Sequence, residues 1–316
     1  MPRIGFRIPR ELPAARFADL ARQAEQAGLD EIWVVEDCFY AGGIATAATA
    51  LAVTSSITVG IGVLPTVARN PSIAAMELAA LAELHPGRLI AGFGHGVPSW
   101  MRQIGAYPAS PLAALEETLT VVRRLFAGER VSMSGRHVHT EDVQLEFPPA
   151  IVPPIIAGVR GPKSLAVAGT HADGTILAEP AAPEYIRATR AVPTIAGRPE
   201  HQVIAYNWFA LDSDPARARE RARATLAATL GPDSEPHLRP LPFGADLLAA
   251  LDDPAPRLRD EWVDHLTVSG TLDDCVAKVQ RLHDAGTDSV VMLPLLGEPE
   301  EAAITAAARV AATLRP

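Results

Sequence analysis

The sequence predicts an α/β fold, a (β/α)8 TIM barrel with insertions, on three observations. Short apolar segments of strand length alternate with segments of helical periodicity along the whole chain, and eight strands result. No Gly-x-Gly-x-x-Gly sequence follows the first strand, where a dinucleotide-binding fold carries it. The 316 residues, 48% of them hydrophobic, suffice to bury one large core. We therefore expect residues 1–316 to form one barrel domain.

The boundaries of these elements carry residues that start and stop helices. Gly28 follows the first helix, and Asn70 and Pro71 stand where a helix N-cap and the first helical residue are expected. Thr271-Leu-Asp-Asp274 is typical of a capping box. The predicted strands are Arg3–Ile8, Glu31–Glu36, Ile57–Leu64, Arg88–Phe93, Pro154–Val159, Gly174–Ala178, Gln202–Leu211 and Ser289–Leu295. The predicted helices are Pro13–Ala27, Ala45–Thr54, Pro71–Leu84, Pro111–Ala127, one that begins at Pro162, Pro183–Arg190, Pro215–Leu230, Asp274–Ala285 and Pro299–Leu314.

Two segments interrupt the alternation of strand and helix. Residues 130–147 alternate polar and apolar side chains with no helical stretch between them, which predicts an excursion hairpin. Residues 231–264 contain six prolines and several short amphipathic pieces, which predicts a helical and loop insertion. We expect this insertion to cover the pocket at the barrel mouth.

Composition excludes several classes of function. The net charge is −9, and no arginine cluster forms a stripe with aromatic residues, so a nucleic-acid partner is not expected. Two cysteines, Cys38 and Cys275, are typical of a reducing compartment, and the N-terminus lacks a signal peptide's apolar core, so we expect a cytoplasmic protein. We expect no membrane span. His137 and His139 have no third ligand at a useful spacing, so we expect no metal site.

Residues 160–164 have the pattern of an anion site. The strand that ends near Val159 is followed by a glycine turn and a helix whose first residue is Pro162. The free N–H groups of that helix start, with Arg160 and Lys163, offer what a phosphate needs. Lys163 is one of only two lysines among 28 basic residues. An ordinary β–α turn gives the same pattern, so the neighbouring strand ends must decide.

In a barrel of this kind, function lies at the C-terminal ends of the strands. Three of these ends are rich in glycine, and glycine leaves room where a flat ring or a phosphate approaches the backbone. The pattern favours a bound cofactor. The residues at these ends are Asp37 and Cys38 after strand two, Gly62 and Val63 in strand three, Gly94, His95 and Gly96 after strand four, Gly158, Arg160 and Gly161 after strand five, and Glu179 after strand six.

Several motifs together resemble the bacterial-luciferase-like superfamily, and most closely its branch that depends on the deazaflavin coenzyme F420. That branch includes methylenetetrahydromethanopterin reductase and secondary alcohol dehydrogenases. The resemblance covers residues 3–180 well and the last strand and helix loosely. The motifs are Trp33-Val-Val-Glu-Asp37, Gly62-Val-Leu-Pro-Thr-Val-Ala-Arg-Asn-Pro71, His85-Pro-Gly-Arg88, Arg160-Gly-Pro-Lys163 and Ala172-Asp-Gly174.

The resemblance implies a cofactor site residue by residue. A non-prolyl cis peptide in a bulge behind the cofactor ring corresponds to Gly62–Val63, and the cofactor phosphate corresponds to the turn after strand five. The turn after strand four would face the ring. The implied cofactor-binding residues are Asp37, Gly62, Val63, Gly94, His95, Gly96, Gly158, Arg160, Gly161, Pro162 and Lys163.

The sequence differs from the family pattern at its acid/base positions. Family members usually have Asp-His after strand two, where this chain has Asp37-Cys38, and some have a glutamate where this chain has Val97. Asp37 either accepts a hydrogen bond from ring or substrate or caps a turn, and Cys38 is either a buried filler or a thiolate. His95 is either the displaced imidazole or a structural residue, and Glu179 is a further acid candidate.

We therefore predict a cytoplasmic oxidoreductase that transfers a hydride between F420 and a small organic substrate. An FMN-dependent luciferase-like monooxygenase and a non-catalytic flavin- or deazaflavin-binding protein are the alternatives. A different enzyme class, a barrel aldolase or isomerase that acts on a phosphate-bearing substrate, would need a lysine at a strand end, and Lys163 is such a lysine, although it stands at a helix start. The resemblance also implies a homodimer.

Overall fold

The computed structural model describes residues 2–251 and 258–315, and these form a closed parallel barrel. Eight strands pair in the order β1–β2–β3–β5–β8–β9–β10–β12, and β12 pairs with β1 to close the ring. The predicted (β/α)8 barrel is confirmed. The strands are β1 Arg3–Arg7, β2 Glu31–Val34, β3 Thr58–Ile61, β4 Leu64–Pro65, β5 Leu89–Gly94, β6 Val131–Ser134, β7 His139–Val143, β8 Ile155–Gly158, β9 Gly174–Leu177, β10 Gln202–Leu211, β11 Val268–Gly270 and β12 Ser289–Pro294.

Helices cover the outside of the barrel. Asn70 accepts a hydrogen bond from the Ser72 amide and caps α3, as its position before Pro71 predicts. Two short 3-10 helices, Ala14–Arg16 and Pro232–Ser234, accompany them. The α-helices are α1 Phe17–Gln26, α2 Gly43–Val53, α3 Pro71–Leu84, α4 Pro98–Gln103, α5 Pro111–Phe126, α6 Pro162–His171, α7 Pro183–Arg190, α8 Pro193–Ala196, α9 Pro215–Thr229, α10 Glu235–Leu238, α11 Gly244–Leu251, α12 Asp260–Leu266, α13 Leu272–Asp284 and α14 Glu300–Leu314.

Most of the predicted elements are present, with a few differences at their boundaries. The strand predicted for Ile57–Leu64 is broken, because Gly62–Val63 leaves the ladder between β3 and β4. The capping box at Thr271 is present, but α13 begins at Leu272, since Asp274 is the third helical residue whose side chain returns to the Thr271 amide. Helices α4 and α8 and strand β11 were not predicted.

Both predicted interruptions of the barrel are present. Strands β6 and β7 form a separate antiparallel hairpin within residues 130–147. The segment predicted for 231–264 contains α10, α11 and α12, while its residues 252–257 lie outside the described part of the chain. Apolar side chains of these short helices join the cluster that fills the barrel interior, so the insertion packs onto the barrel.

The N-terminal end of the barrel is closed by a buried carboxylate. Glu31 at the start of β2 accepts hydrogen bonds from the Trp33 indole at 2.8 Å and the Ser289 hydroxyl at 2.7 Å, and it pairs with Arg3 at 2.9 Å. A buried charge is tolerated only when it is paired and hydrogen-bonded in this way. The open end, where a ligand can enter, is therefore the C-terminal one.

Candidate active site at the barrel mouth

A cavity of about 540 Å³ opens at the C-terminal ends of the strands. The ends of β1, β9, β10 and β12 form its floor, and residues 231–234 of the insertion form one wall. The expectation that the insertion covers the pocket is thus met by its described first residues. Of the predicted site residues, only Arg160 and Glu179 line this cavity. The others lie around β2, β3, β5 and the start of α6.

The end of β3 forms the expected bulge. The Gly62–Val63 peptide is cis, which confirms the predicted geometry. A Cβ atom on Gly94 would lie 2.7 Å from Cγ2 of Val63, and one on Gly158 would lie 2.5 Å from its Cγ1. Val63 therefore fills the space above these two glycines. The room that we expected for a ring at Gly94 and Gly158 is taken by a side chain of the protein, because the bulge turns Val63 toward them.

Gly62 itself is held against the barrel interior. A Cβ atom there would overlap the hydroxyl of Tyr206 and lie 3.2 Å from both Ile176 and Trp33. Tyr206 is buried on β10, its ring meets Trp33 edge-on at 5.8 Å, and its hydroxyl has no hydrogen-bond partner among the described residues. Glycine at position 62 is thus required by packing from below the bulge.

The turn between β8 and α6 leaves a helix N-terminus open. Gly161 is the N-cap residue and provides no side-chain cap, and a Cβ atom on it would meet nothing within 4 Å. Lys163 is exposed in the first helical turn. Free N–H groups, an approachable backbone and a cation fit a phosphate or another anion.

His95 lies against this helix start. Its Nε2 shares a hydrogen bond of 2.9 Å with the Ser164 hydroxyl in the first turn of α6. Burial lowers the pKa of His95, and the Pro111 carbonyl offsets part of the shift without meeting the geometry of a hydrogen bond to Nδ1. The imidazole is therefore neutral at physiological pH and belongs to the anion turn. Next to it, Gly96 has a φ of +70°, which favours glycine.

Arg160 is directed away from the helix start. Its guanidinium donates a hydrogen bond of 3.0 Å to the Asp233 carbonyl in the insertion and lines the cavity. It therefore links the end of β8 to the segment above the mouth.

The residues after β2 are held by arginines. Glu36 binds Arg69 through both oxygens, at 2.6 and 2.9 Å, and Asp37 accepts a hydrogen bond of 2.8 Å from Arg10. Cys38 is half-buried, and burial followed by the charges of Glu36 and Asp37 raises the pKa of its thiol. The peptide after Cys38 is also cis. A raised pKa is the opposite of what a reactive thiolate requires, so the geometry favours the filler interpretation of Cys38.

Glu179 faces the cavity at the end of β9. It pairs with Arg7 of β1 at 3.0 Å, and the Arg7 guanidinium stands 5.8 Å from the Trp208 ring centre. The Glu179–Pro180 peptide is cis, and the Asn207 amide forms two hydrogen bonds with the Ala181 backbone that hold this turn. Glu179 is thus the one proposed proton-transfer group that reaches the cavity.

Several polar residues of the mouth were missed from the sequence. Arg7 and Arg10 stand at and just beyond the end of β1, and this position at a strand end is the signal that marks them in the sequence. Tyr206 lies two residues before Trp208 on the same face of β10. His237 lies in the insertion, where no periodicity marks it.

Some site types are absent from the part of the chain that the structure describes. Across residues 2–251 and 258–315, three or more His, Cys, Asp or Glu side chains nowhere come together in a group able to hold a metal ion. In the same ranges, every helix is too short or too polar to cross a membrane.

The sequence profile of luciferase-like monooxygenases matches residues 3–289. The chain belongs to the luciferase-like monooxygenase family. Among family relatives, it is 30% identical over 308 residues to a 5,10-methylenetetrahydromethanopterin reductase of Methanolobus tindarius, covering 92% of this chain and 94% of that protein.

One further relative and one solved structure are named for F420. An F420-dependent glucose-6-phosphate dehydrogenase of Nakamurella multipartita is 28% identical over 305 residues, covering 90% of this chain and 88% of that protein. The structure of an F420-dependent secondary alcohol dehydrogenase in complex with an F420-acetone adduct superposes with a TM-score of 0.82. The two chains are 18% identical, and the superposition covers all of both. At that identity the superposition supports the fold alone.

Proposed function

We propose that this protein is an F420-dependent oxidoreductase that transfers a hydride between coenzyme F420 and a small organic substrate. The observation that carries the proposal is the match over nearly the whole chain to relatives named as F420-dependent enzymes or as a methylenetetrahydromethanopterin reductase. When bound, such a cofactor supplies the hydride chemistry, and the protein supplies binding, orientation and electrostatics.

The phosphate of the cofactor is proposed to bind at the start of α6. Gly161 leaves the approach open, the first turn has no side-chain cap, and Lys163 adds a positive charge. His95 supports this turn through Ser164. An anion here gains from the helix dipole and from unpaired N–H groups.

The cofactor ring is proposed to lie against the bulge. Val63, packed down onto Gly94 and Gly158, offers a fixed apolar surface, and Gly62 packs against the Tyr206 hydroxyl. The cavity beside Trp208 then remains for the substrate.

Glu179 is proposed to move the proton that accompanies hydride transfer. It lines the cavity, whereas His95 lies at the anion turn and Asp37 is held by Arg10 outside the cavity lining. Arg7 fixes the orientation of Glu179 and adds positive charge beside the reacting oxygen of a substrate.

Cofactor titration tests the proposal. F420 and FMN are titrated separately into the purified protein, followed by fluorescence and by the absorbance of the bound chromophore. We expect F420 to bind at least tenfold more tightly than FMN. Gly161→Val should lose F420 affinity while keeping the far-UV circular dichroism of the native barrel. Tight FMN binding without F420 binding would instead support the monooxygenase alternative.

Turnover separates an enzyme from a binding protein. Oxidation of reduced F420 is followed in single-turnover experiments with a panel of aldehydes, ketones and imines. A protein that binds F420 tightly and consumes none with any of these substrates fits the non-catalytic alternative.

We also propose that residues 1–316 act as one domain that forms a homodimer through the outer face of α3. Helix α3 exposes Ile73, Met76 and Leu84, and Met76 is 53% exposed. An outward apolar face on a barrel helix favours burial against a second copy. Light scattering after size-exclusion chromatography should give twice the chain mass, and Met76→Glu should give the monomer.

A matched control is Ile151→Glu, since Ile151 is 54% exposed on another part of the surface. It should leave the dimer intact. A monomeric wild type, or a monomer only in the Ile151 variant, would contradict the proposed face.

The free, unpaired state of Cys38 and Cys275 supports a reducing, cytoplasmic location, which cell fractionation tests.

A further inference from the structure

Most of the charged residues that line the cavity are in ion pairs. Six of the eight charged lining residues belong to four ion-pair groups, and three of these groups also include a residue outside the lining. The pairs are Arg7 with Glu179, Arg10 with Glu11 and Asp37, Arg221 with Glu298, and Arg16 with Glu300. Within residues 2–251 and 258–315, Arg160 is the cavity-lining arginine that has no carboxylate within ion-pair distance. Its one bond goes to the Asp233 carbonyl.

Two buried side chains next to Arg160 also lack partners. His237 on α10 is 0% exposed, and neither of its ring nitrogens has a hydrogen-bond partner among the described residues. Tyr185 on α7 is 3% exposed, and its hydroxyl is equally unpaired in the described part of the chain. The two rings stack at 4.9 Å with an interplanar angle of 21°. Buried polar groups without partners are rare in folded proteins and call for an explanation.

Arg160 is held beside the segment that carries His237, because it bonds the carbonyl of Asp233, four residues earlier in the chain, and its positive charge acts on both rings. Burial lowers the pKa of His237 to about 3 and the positive charge of Arg160 adds to that shift, while the Glu179 backbone carbonyl offsets part of it without meeting the geometry of a hydrogen bond. Burial raises the pKa of Tyr185, and the same guanidinium opposes the increase. Both rings are therefore neutral at pH 7, and each carries one hydrogen-bond donor. The turn after β8, α7 and α10 thus bring three donor side chains together, and among the described residues the Asp233 carbonyl is the one acceptor that any of them bonds.

We propose that Arg160 binds the anionic group of the substrate, a carboxylate or a phosphate monoester, and that His237 and Tyr185 donate hydrogen bonds to the same group. A guanidinium presents two parallel N–H groups that match a carboxylate or phosphate. The rest of the substrate then lies in the cavity beside Trp208 and Glu179. The proposal deepens the proposed function and rests on it, and it assigns Arg160 to the substrate and not to the cofactor phosphate.

Calorimetric titration of the full-length protein with matched probes tests this assignment. The anionic probes are phenylacetate and phenyl phosphate, and the neutral ones are phenylacetamide and benzyl alcohol. The wild type should bind at least one anion more than tenfold tighter than its neutral counterpart. Arg160→Gln should abolish that preference, Arg160→Lys should restore part of it, and His237→Phe should weaken anion binding about threefold to tenfold.

Arg239→Gln is the matched control, since Arg239 follows α10 and its side chain is 75% exposed and away from the cavity lining. It should bind the anions like the wild type. F420 titration of Arg160→Gln should give the wild-type affinity. Equal binding of anion and neutral probe by the wild type, or unchanged anion binding by Arg160→Gln, overturns the proposal. Loss of F420 affinity with intact anion binding also overturns it, because the guanidinium would then serve the cofactor.

The two levels of proposal fail separately. A wild type that binds the anionic probes through Arg160 but does not bind F420 refutes the proposed function and leaves the anion site standing. A wild type that binds F420 but shows no anion preference refutes only the anion site.

Discussion

Replacing Gly62 by alanine should destabilise the protein through one specific contact. The added Cβ atom would overlap the Tyr206 hydroxyl and lie 3.2 Å from Ile176 and Trp33, both buried in the barrel interior. Overfilling a packed core by one methyl group costs about 1–3 kcal/mol, because neighbouring side chains must leave their preferred rotamers. We expect Gly62→Ala to lose about 2 kcal/mol of unfolding free energy.

A second substitution identifies the contact. Tyr206→Phe removes the hydroxyl that the new Cβ atom meets, and that hydroxyl has no partner to lose among the described residues. The single Tyr206→Phe variant should therefore be close to the wild type, while the double variant should recover about half of the loss. The coupling energy of this cycle should be about 1 kcal/mol, in the range typical of residues in contact.

Urea denaturation followed by circular dichroism measures these differences. Gly161→Ala is the control, since a Cβ atom there meets nothing within 4 Å and the backbone has an ordinary negative φ of −77°. It should change the urea midpoint little. The packing argument is wrong if Gly62→Ala and Gly161→Ala have the same midpoint, or if Tyr206→Phe fails to reduce the loss caused by Gly62→Ala.

Three further outcomes are expected. Glu179→Gln should slow single-turnover hydride transfer by about 10²-fold or more and leave F420 affinity unchanged. The amide still accepts a hydrogen bond from Arg7 but cannot exchange a proton. A wild-type rate would show that Glu179 takes no part in the reaction. Burial lowers the pKa of His237 to about 3. Below pH 6.5 the unfolded chain therefore binds a proton that the folded chain does not, and the protein becomes less stable as the pH is lowered. His237→Phe should reduce the stability loss between pH 7 and pH 5 by about 2 kcal/mol, and an unchanged pH slope would contradict the buried neutral ring. Iodoacetamide should label Cys38 more slowly than free cysteine and should leave the fully buried Cys275 unlabelled in the native protein, because burial raises the pKa of both thiols. Mass spectrometry identifies the labelled residue, and labelling of Cys275 before Cys38 would contradict this expectation.

The alternation of elements could be predicted because it depends on neighbours in the chain. Pro71–Leu84, Pro183–Arg190 and Gln202–Leu211 have the boundaries that the sequence predicts, since prolines at first helical positions and β-branched or apolar runs act locally. The bulge at Gly62–Val63 was placed by resemblance, and its geometry is present. The site residues at strand ends followed from the barrel itself, because parallel strands bring their C-terminal ends to one face.

What the sequence by itself determined is therefore the barrel, its mouth and the open start of α6. Only the tertiary structure decided which polar groups meet there. Arg7 and Glu179 are 172 positions apart and pair across the mouth, and Arg160 extends to the insertion although its neighbours in sequence point to the anion turn. His237 lies in a segment without a periodic pattern, and its burial depends on how the insertion packs on α7. Local propensity sets which segments become helices and strands, but ion pairing and burial of single side chains depend on contacts between residues that are distant in the chain.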